Sequence, residues 1–357
     1  MPTGPLQRGR GAPANRLSSR FDTLARDLEG DWLDAVGQLD GIAPLRTEVA
    51  IETPRTIISR NTSPDIPFDR SVNAYRGCEH GCVYCFARPT HAYLGLSPGL
   101  DFESKLTAKP DAATLLRAEL SKRGYVPQPL AMGTNTDPYQ PIEARFAITR
   151  GCLDVLRDFR HPVMITTKSD RIVRDLDILA AMAADGLVST VVSVTTLDPH
   201  TARTLEPRAA APRRRLAAIR ALAAAGIPVM VSVSPVIPAI TDHEIETILA
   251  AAAKAGARHA FARPVRLPYE VAPLFRAWLD AHYPDRAVRV MQLIRAMRGG
   301  RDNDPDYGTR MRGQGPYAAM LQQRVRLAKA RLGLDRGRPE LRCDLFKVPG
   351  GAQLALF

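Results

Sequence analysis

The chain has 357 residues, 45% of them hydrophobic, so it can bury a sizeable core, which argues against disorder of the whole chain. Its formal net charge of +12 and pI of about 9.8 favour a polyanionic partner without identifying it. No apolar run approaches the roughly 20 residues that span a bilayer, and the N-terminus lacks the apolar middle of a signal peptide, so we expect a cytoplasmic protein without a membrane partner.

Residues 1–65 are predicted to form an N-terminal arm with one peripheral helix. The start of this region is rich in Pro, Gly and Arg, and only Phe21–Leu39 is amphipathic. From Ser71 onward, short β-branched or apolar runs alternate with longer helical patterns, which indicates βαβ units and a parallel sheet. The expected strands are Val72–Tyr75, Pro129–Gly133, Pro162–Thr167, Val188–Thr195, Pro228–Val233 and Ala257–Ala262. The expected helices between them are Asp111–Lys122, Arg150–Phe159, Arg171–Ala184, Pro212–Ala225 and Asp242–Ala255.

This alternation over residues 66–270 predicts an α/β fold, a partial (β/α)6 TIM-type barrel with an N-terminal arm and a helical C-terminal extension. A doubly wound sheet has the same periodicity and stays the alternative. In a barrel of this kind the chemistry lies at the carboxyl ends of the strands. Residues 271–348 are expected to form the extension and residues 349–357 a tail, with further helices at Ala272–His282, Ala287–Met297 and Pro316–Leu332.

The C-terminal extension is strongly basic. From Arg289 to Arg342 there are thirteen Lys and Arg residues against five Asp and Glu residues. This surplus predicts a nucleic-acid face. A solvated helix surface, on which Arg alternates with apolar positions, explains the same composition.

Three of the five cysteines lie within eight positions, Cys78, Cys82 and Cys85, in the segment NAYRGCEHGCVYCFAR at residues 73–88. Three thiolates on one short loop can hold three irons of a [4Fe–4S] cubane and leave the fourth iron without a protein ligand. That iron can bind the amino and carboxylate groups of S-adenosylmethionine (SAM), whose reductive cleavage gives a 5′-deoxyadenosyl radical. A structural zinc site is the alternative, and it needs His80, His91 or the distant Cys343 as a fourth ligand.

The C-x3-C-x2-C spacing, with the aromatic Tyr84 just before the third cysteine, resembles the radical SAM superfamily. The segments PTHAYLGLSPGLDFESK at residues 89–105 and GTNTDPYQPIE at residues 133–143 resemble the branch related to spore photoproduct lyase, often described as DNA repair photolyases. The resemblance spans about Ser71 to Arg266. It implies a [4Fe–4S] cluster, SAM as cofactor, DNA as a partner, and an electron donor such as flavodoxin or ferredoxin.

The resemblance also assigns roles by position. Tyr84 corresponds to the aromatic that contacts the adenine, with ordinary packing beneath the loop as the alternative. Thr136 and Asp137 correspond to the pair that binds the SAM amino group, Lys168 to a lysine near the SAM carboxylate, and Ser193 to a strand-end contact of the cofactor. Each of these residues has a surface position or an ion pair as its alternative reading.

Two further residues are cofactor candidates on their own chemistry. Glu206 and Arg208, in the segment Leu205-Glu-Pro-Arg before a helix, are expected to hydrogen-bond the ribose and bracket the carboxylate of SAM. A surface strand end or an ion pair is an equally good explanation of both.

The resemblance departs at Thr134. Spore photoproduct lyases have a cysteine three residues before the aspartate of this turn, and that cysteine returns a hydrogen atom to the product radical. A threonine O–H bond is far stronger than a thiol S–H bond, so we do not expect the spore photoproduct reaction itself. Cys152 reads as a small buried hydrophobic residue on a helix, and Cys343 lies far along the chain.

The last five residues, Gln353-Leu354-Ala-Leu356-Phe357, resemble the peptide by which bacterial replication and repair proteins bind the DNA sliding clamp. Gln353 would fill a polar subsite and Leu356 and Phe357 an apolar pocket. Packing of this tail on the barrel is the alternative.

The sequence therefore predicts a radical SAM enzyme that repairs or modifies a DNA base. The alternatives are a radical SAM enzyme with a protein or small-molecule substrate, and a non-catalytic, metal-containing nucleic-acid-binding protein.

Overall fold

The structure is a computed structural model that describes residues 10–12, 15, 45–337 and 339–350. The predicted helix at Phe21–Leu39 lies outside these residues. The strands are β1 Glu48–Ile51, β2 Ile58–Arg60, β3 Arg70–Val72, β4 Tyr75–Arg76, β5 Lys105–Ala108, β6 Leu130–Met132, β7 Val163–Thr167, β8 Val188–Ser193, β9 Val229–Val236 and β10 His259–Pro264.

The α-helices of the described residues are α1 Asp101–Ser104, α2 Ala112–Leu120, α3 Glu143–Phe146, α4 Ile148–Asp158, α5 Leu176–Ala184, α6 Pro199–Leu205, α7 Pro212–Ala224, α8 Ile245–Ala255, α9 Val271–His282, α10 Pro284–Ala296 and α11 Gly315–Leu332. Short 3-10 turns cover Arg88–Leu94, Asp170–Asp175 and Asp242–Glu244. Over the described ranges, no helix is both long enough and apolar enough to cross a membrane.

The main sheet has the order β10-β9-β8-β7-β6-β3-β2, with all neighbours parallel except β2, which pairs antiparallel with β3. Its six parallel strands correspond to the six that the sequence predicts, although the first, β3, overlaps its predicted range only at Val72. Every residue of β8 is buried, as expected for a parallel strand covered on both faces. Helices connect successive strands, and Gly256 ends α8 with a φ of 108° that favours glycine. The predicted partial (β/α)6 TIM-type barrel is confirmed.

The first strand differs from its prediction. The predicted Val72–Tyr75 is split, because the chain leaves the main sheet at Asn73, whose side-chain oxygen accepts hydrogen bonds from the Thr134 hydroxyl at 3.1 Å and from the Asn135 backbone N–H at 3.2 Å. The next residues form β4, which belongs to a second, three-stranded sheet of order β1-β5-β4. This small sheet, absent from the sequence-based prediction, closes the base of the cysteine-bearing loop.

Candidate active site

The three clustered cysteines lie on the loop between β4 and β5, at the carboxyl edge of the main sheet. Pairing of β4 with β5 holds the two ends of this loop together. The Cys78 N–H donates to the carbonyl of Phe102 at 2.9 Å. Gly77 has a φ of +73°, and a Cβ atom there would lie 2.8 Å from that same carbonyl oxygen, so the close approach requires glycine. The loop that carries Cys78, Cys82 and Cys85 is therefore fixed from both sides.

Two of the three thiols, those of Cys78 and Cys82, are buried in a setting that disfavours free thiolates. Burial, followed by the negative charge of Asp137 and of the neighbouring cysteines, raises the pKa of Cys78 well above its usual value. Burial raises the pKa of Cys82 to about 12, although the Lys168 ammonium acts in the opposite direction. Thiolates at these positions need a bound cation, and coordination to a metal deprotonates a thiol outright.

The residues present fit the cluster that the cysteine spacing predicts. In a cubane each thiolate binds a different iron, so three cysteines on one loop are sufficient protein ligands. Among the described residues, no group of three or more His, Cys, Asp and Glu side chains is arranged to hold a single metal ion. Of the alternative zinc ligands, His80 faces Asp137 at 3.3 Å and His91 contacts the Lys105 carbonyl at 3.0 Å.

Asp137 lies directly beside Cys78 and is buried in a set of donors. Its carboxylate accepts hydrogen bonds from the Thr167 hydroxyl at 2.7 Å, from the Lys168 backbone N–H at 2.7 Å and from the Tyr139 N–H at 2.9 Å. Burial alone would raise the pKa of this carboxyl, but the charge and hydrogen bond of His80 and the other donors lower it to about 2. Asp137 is therefore an ionised, oriented carboxylate at the end of the second barrel strand.

The Thr136 side chain contacts the cysteine loop in this structure. Its hydroxyl donates to the Gly77 carbonyl at 2.6 Å and accepts from the Gln140 amide at 2.8 Å. The Gln140 side-chain oxygen in turn accepts the Glu79 N–H at 2.9 Å. Thr136 thus anchors the loop from the neighbouring strand end, and Gln140, which sequence reasoning missed, completes that anchor.

A second cluster of charged and hydrogen-bonded side chains has Glu206 at its centre. The Glu206 side chain is fully buried. Its carboxylate accepts hydrogen bonds from the hydroxyl groups of Tyr84 and Thr195, the latter at 2.7 Å, and forms an ion pair with Arg215. Burial raises the pKa of Glu206, but Arg215 and Lys168 more than offset this and hold it at about 2. The buried site therefore contains an ionised glutamate with matched donors.

The Lys168 ammonium lies beside the cluster around Glu206, 5.7 Å from the centre of the Tyr84 ring. Burial lowers the pKa of Lys168, but the negative charges of Cys82 and Glu206 reverse this, so that the net shift is upward. Burial and the charges of Cys82 and Glu206 raise the pKa of Tyr84 well above its usual value, which keeps its hydroxyl a donor. A cation, an aromatic ring and a carboxylate thus meet beside the cysteine loop.

Ser193 and Arg208 have different positions. Ser193 is buried at the end of β8, and its carbonyl accepts a hydrogen bond from Arg215 at 3.1 Å. Arg208 is turned to Glu79 at 2.9 Å, with Thr47 3.5 Å away. In this structure Arg208 therefore braces the cysteine loop through Glu79, and Arg215 is the arginine that reaches the buried site. The PRRR start of α7 offered a signal for such a residue, but not which arginine points inward.

Another feature that the sequence did not indicate is the N-terminal strap, residues 10–12. The backbone N–H groups of Gly11 and Ala12 donate to the Glu103 carboxylate at 3.0 and 2.7 Å. Arg10 donates to the Glu103 carbonyl at 2.7 Å. Arg88 forms an ion pair with the same carboxylate, and both side chains are fully buried. The strap is therefore held by a buried carboxylate, both oxygens of which accept hydrogen bonds.

The strap lies directly on the cysteine loop. A Cβ atom at Gly11 would lie 1.6 Å from the Gly81 carbonyl oxygen and 3.3 Å from the Val83 nitrogen, so only glycine fits. Asn15 extends the contact, since its side chain exchanges hydrogen bonds with Asp101 at 3.1 and 3.0 Å. Segments about 70 to 90 positions apart in the sequence thus form one structural unit.

The two other cysteines lie away from this unit. Cys152 is buried in α4, as expected for a small hydrophobic residue. Cys343 follows Arg342, whose N–H donates to the Gly186 carbonyl at the amino-terminal edge of the sheet, opposite the cysteine loop. The clamp-like residues Gln353, Leu354, Leu356 and Phe357 lie outside the described residues.

Comparisons with known proteins show the family to which the chain belongs. Residues 72–252 match the family model of the radical SAM superfamily. The chain is 37% identical over 279 residues to the uncharacterized protein Rv2578c of Mycobacterium tuberculosis, with 76% of this chain and 77% of the relative covered. It is 27% identical over 173 residues to the uncharacterized protein MJ0683 of Methanocaldococcus jannaschii, with 48% of this chain and 62% of the relative covered.

The fold is similar to solved structures of spore photoproduct lyase. One is complexed with dinucleoside spore photoproduct, with a TM-score of 0.54, 16% identity, and coverage of 80% of this chain and 79% of that one. Another, a variant with bound S-adenosylmethionine and dinucleoside spore photoproduct, has a TM-score of 0.54, 16% identity, and coverage of 80% and 78%. Identity at this level establishes the fold alone. The family match and the buried cysteine loop together establish that this chain belongs to the radical SAM superfamily, whose members use a [4Fe–4S] cluster and SAM.

Proposed function

We propose that Cys78, Cys82 and Cys85 hold the [4Fe–4S] cluster, that SAM binds beside them, and that the substrate is DNA, a base of which is repaired or modified. The observation that carries this proposal is the meeting of the cysteine loop, on which Cys78 and Cys82 are buried and Cys85 is half-buried, with ionised Asp137 and Glu206 and with cationic Lys168. When bound, the cluster supplies the electron that breaks a C–S bond of SAM and yields a 5′-deoxyadenosyl radical. Flavodoxin or ferredoxin is the class of electron donor we propose.

The protein's own residues bind and orient the cofactor. Lys168 offers a fixed cation to the SAM carboxylate, and Asp137 an anion to the amino group. Tyr84 supplies a ring face for the adenine, and Glu206 an acceptor for the ribose hydroxyls. Because Asp137 and Glu206 hold pKa values of about 2, both stay ionised throughout the physiological range. We place Ser193 at the edge of this site, and Thr136 and Arg208 as supports of the loop.

Two observations support DNA as the substrate. The fold is that of an enzyme solved with a dinucleoside lesion, and the surplus of basic residues from Arg289 to Arg342 suits a polyanion. Thr134 in place of the hydrogen-donating cysteine favours a reaction other than that of spore photoproduct lyase. The Thr134 hydroxyl donates to Asn73 at 3.1 Å, a structural contact.

The first test is anaerobic reconstitution with iron and sulfide, reduction with dithionite, and measurement of 5′-deoxyadenosine formed from SAM, together with metal content. We expect four irons per chain and 5′-deoxyadenosine, both lost in Cys78→Ala, Cys82→Ala and Cys85→Ala. Cys152→Ala is the matched control and should retain both. A colourless, zinc-loaded protein that leaves SAM intact would overturn the proposal. SAM cleavage without DNA binding at physiological salt would instead favour a protein or small-molecule substrate.

We also propose that the tail, through Gln353, Leu354, Leu356 and Phe357, binds the DNA sliding clamp. A linear motif of this kind binds through a few anchor side chains. Deletion of residues 353–357 should abolish binding to purified clamp while leaving SAM cleavage unchanged. Unchanged affinity for the clamp after the deletion would refute this assignment.

A further inference from the structure

A cavity of about 360 Å³ lies outside the site described above, where α11 packs against β10 and α8. Its volume is in the range of ligand pockets, roughly 300–1,000 Å³. Its floor is apolar and is formed by the side chains of Val236, Ile245, Phe261, Leu321 and Val325. A floor of this kind suits a flat or apolar group, such as a base or a sugar.

The rim of this cavity is basic. Arg263, Arg312, Arg326 and Lys329 line it, against one carboxylate, that of Asp335. Among the described ion pairs, none joins Arg312, Arg326 or Lys329 to an acidic side chain.

Arg324, on the same helix but outside the cavity, behaves differently. It binds the Glu246 carboxylate through two hydrogen bonds, at 2.8 and 2.6 Å. Helix α11 therefore pairs the arginine that faces α8 with a carboxylate, whereas Arg326 and Lys329, which line the cavity, have no acidic partner among the described ion pairs. Arg326 donates one hydrogen bond, to the neutral side chain of Gln323 at 2.5 Å. Burial, with the nearby Arg263, lowers the pKa of Lys329, although Asp335 acts in the opposite direction. The charge balance of the rim calls for an anionic occupant.

The cavity also lies next to the mouth of the barrel. It extends along β10, the edge strand of the main sheet, to its last residue, Pro264. The next residue, Val265, is part of an apolar cluster that also contains Cys82 and Tyr84. The cavity and the cysteine loop therefore both lie toward the carboxyl edge of the sheet.

We propose that this cavity binds a strand of the nucleic-acid substrate, with phosphates on Arg312, Arg326 and Lys329 and a base or sugar on the apolar floor. The site rests on the proposed function, and it names where the substrate's backbone is held. Phosphate contacts of this type fix position and orientation without reading sequence. The basic residues of the extension that we propose to bind phosphate thus lie around one cavity, between α11 and β10.

The test compares two charge-matched double variants by fluorescence anisotropy with a labelled oligonucleotide over a range of salt. Arg326→Glu with Lys329→Glu alters the rim, and Arg220→Glu with Arg289→Glu alters exposed positions outside the cavity by the same charge. We expect the rim variant to bind about tenfold more weakly or worse. Its slope of log K against log salt should fall by about 1 per residue removed. The control should lose much less, and both should retain SAM cleavage.

Each other result overturns part of the reasoning. Equal loss in the two variants would refute the cavity and indicate a diffuse charge effect. A rim variant that binds as wild type does would refute the cavity while leaving DNA as the substrate. A mononucleotide that binds as tightly as the oligonucleotide and displaces it would show that the cavity binds a free nucleotide, and this would refute a strand as its occupant. A wild-type protein that binds no nucleic acid would remove the DNA substrate and this site together. The milder Arg326→Gln with Lys329→Gln repeats the comparison without added negative charge.

Discussion

The Glu103→Gln substitution tests whether the N-terminal strap and the cysteine loop form one unit. The Glu103 carboxylate holds the backbone N–H groups of Gly11 and Ala12 and the guanidinium of Arg88, and the side chains of the ion pair are fully buried. Glutamine preserves the shape of the side chain but removes its charge. Its NH2 group must replace either the oxygen that accepts from the Gly11 N–H or the oxygen that accepts from the Ala12 N–H and from Arg88, so at least one donor loses its acceptor. Removing one partner of a buried ion pair costs about 3–5 kcal/mol.

We expect Glu103→Gln to lower the free energy of unfolding of the apoprotein by about 3 kcal/mol, the lower end of that range, because one amide oxygen still accepts. With a urea dependence of about 3 kcal/mol per molar for a chain of this size, the unfolding midpoint falls by about 1 M. The cysteine loop should loosen with the strap. Alkylation of Cys82 by iodoacetamide, followed by mass spectrometry, should therefore be faster than in the wild type.

The matched control is Glu246→Gln. Glu246 also binds an arginine through both oxygens, but its side chain is 46% exposed and that of Arg324 is 29% exposed. An exposed pair of this kind contributes at most about 1 kcal/mol. If Glu103→Gln and Glu246→Gln shift the midpoint equally, or if Cys82 alkylation does not change, the strap does not support the loop and the reasoning fails.

Three further predictions follow from local geometry. Gly11→Ala should displace the strap and speed Cys82 alkylation, while Gly337→Ala, where nothing lies within 4 Å of the added Cβ, should have no effect. Burial lowers the pKa of His161 from 6.5 to about 4, so its neutral ring stabilises the fold fully above about pH 6.5, and this contribution is lost as pH falls toward 4. Between pH 7 and pH 5 the wild type should therefore lose about 2 kcal/mol more than His161→Gln in urea unfolding. Phe346→Ala should lower the free energy of unfolding by about 2 kcal/mol, measured the same way, because its ring lies 5.6 Å from that of His161; an unchanged midpoint would contradict this packing role.

The barrel strands could be predicted because parallel strands are covered on both faces and form continuous apolar runs. Val188–Thr195 was expected and β8 is Val188–Ser193, a difference of two residues at one end. The cysteine loop could be predicted because its spacing is local. Pairing of β4 with β5 could not, since β4 has only two residues and its partner lies about 30 positions away.

The parts of the site that the sequence did not indicate depend on long-range contacts. Arg213 and Arg214 are exposed and Arg215 is buried, and only the rotation of α7 against the sheet decides among them. The composition of residues 10–12 indicated an arm, yet their hydrogen bonds reach Glu103, more than 90 positions away in each case. Short local patterns carry no information on such pairs.

The course of residues 341–347 has a further consequence. The Arg342 N–H donates to the Gly186 carbonyl, the Phe346 ring packs near Tyr125, and the Lys347 N–H donates to the Phe159 carbonyl at 3.0 Å. Each of these partners precedes a parallel strand, so the chain crosses the back of the barrel before its final residues begin. Residues 341–347 therefore cover the amino-terminal edge of the sheet and leave the opposite edge, where the cysteine loop lies, accessible.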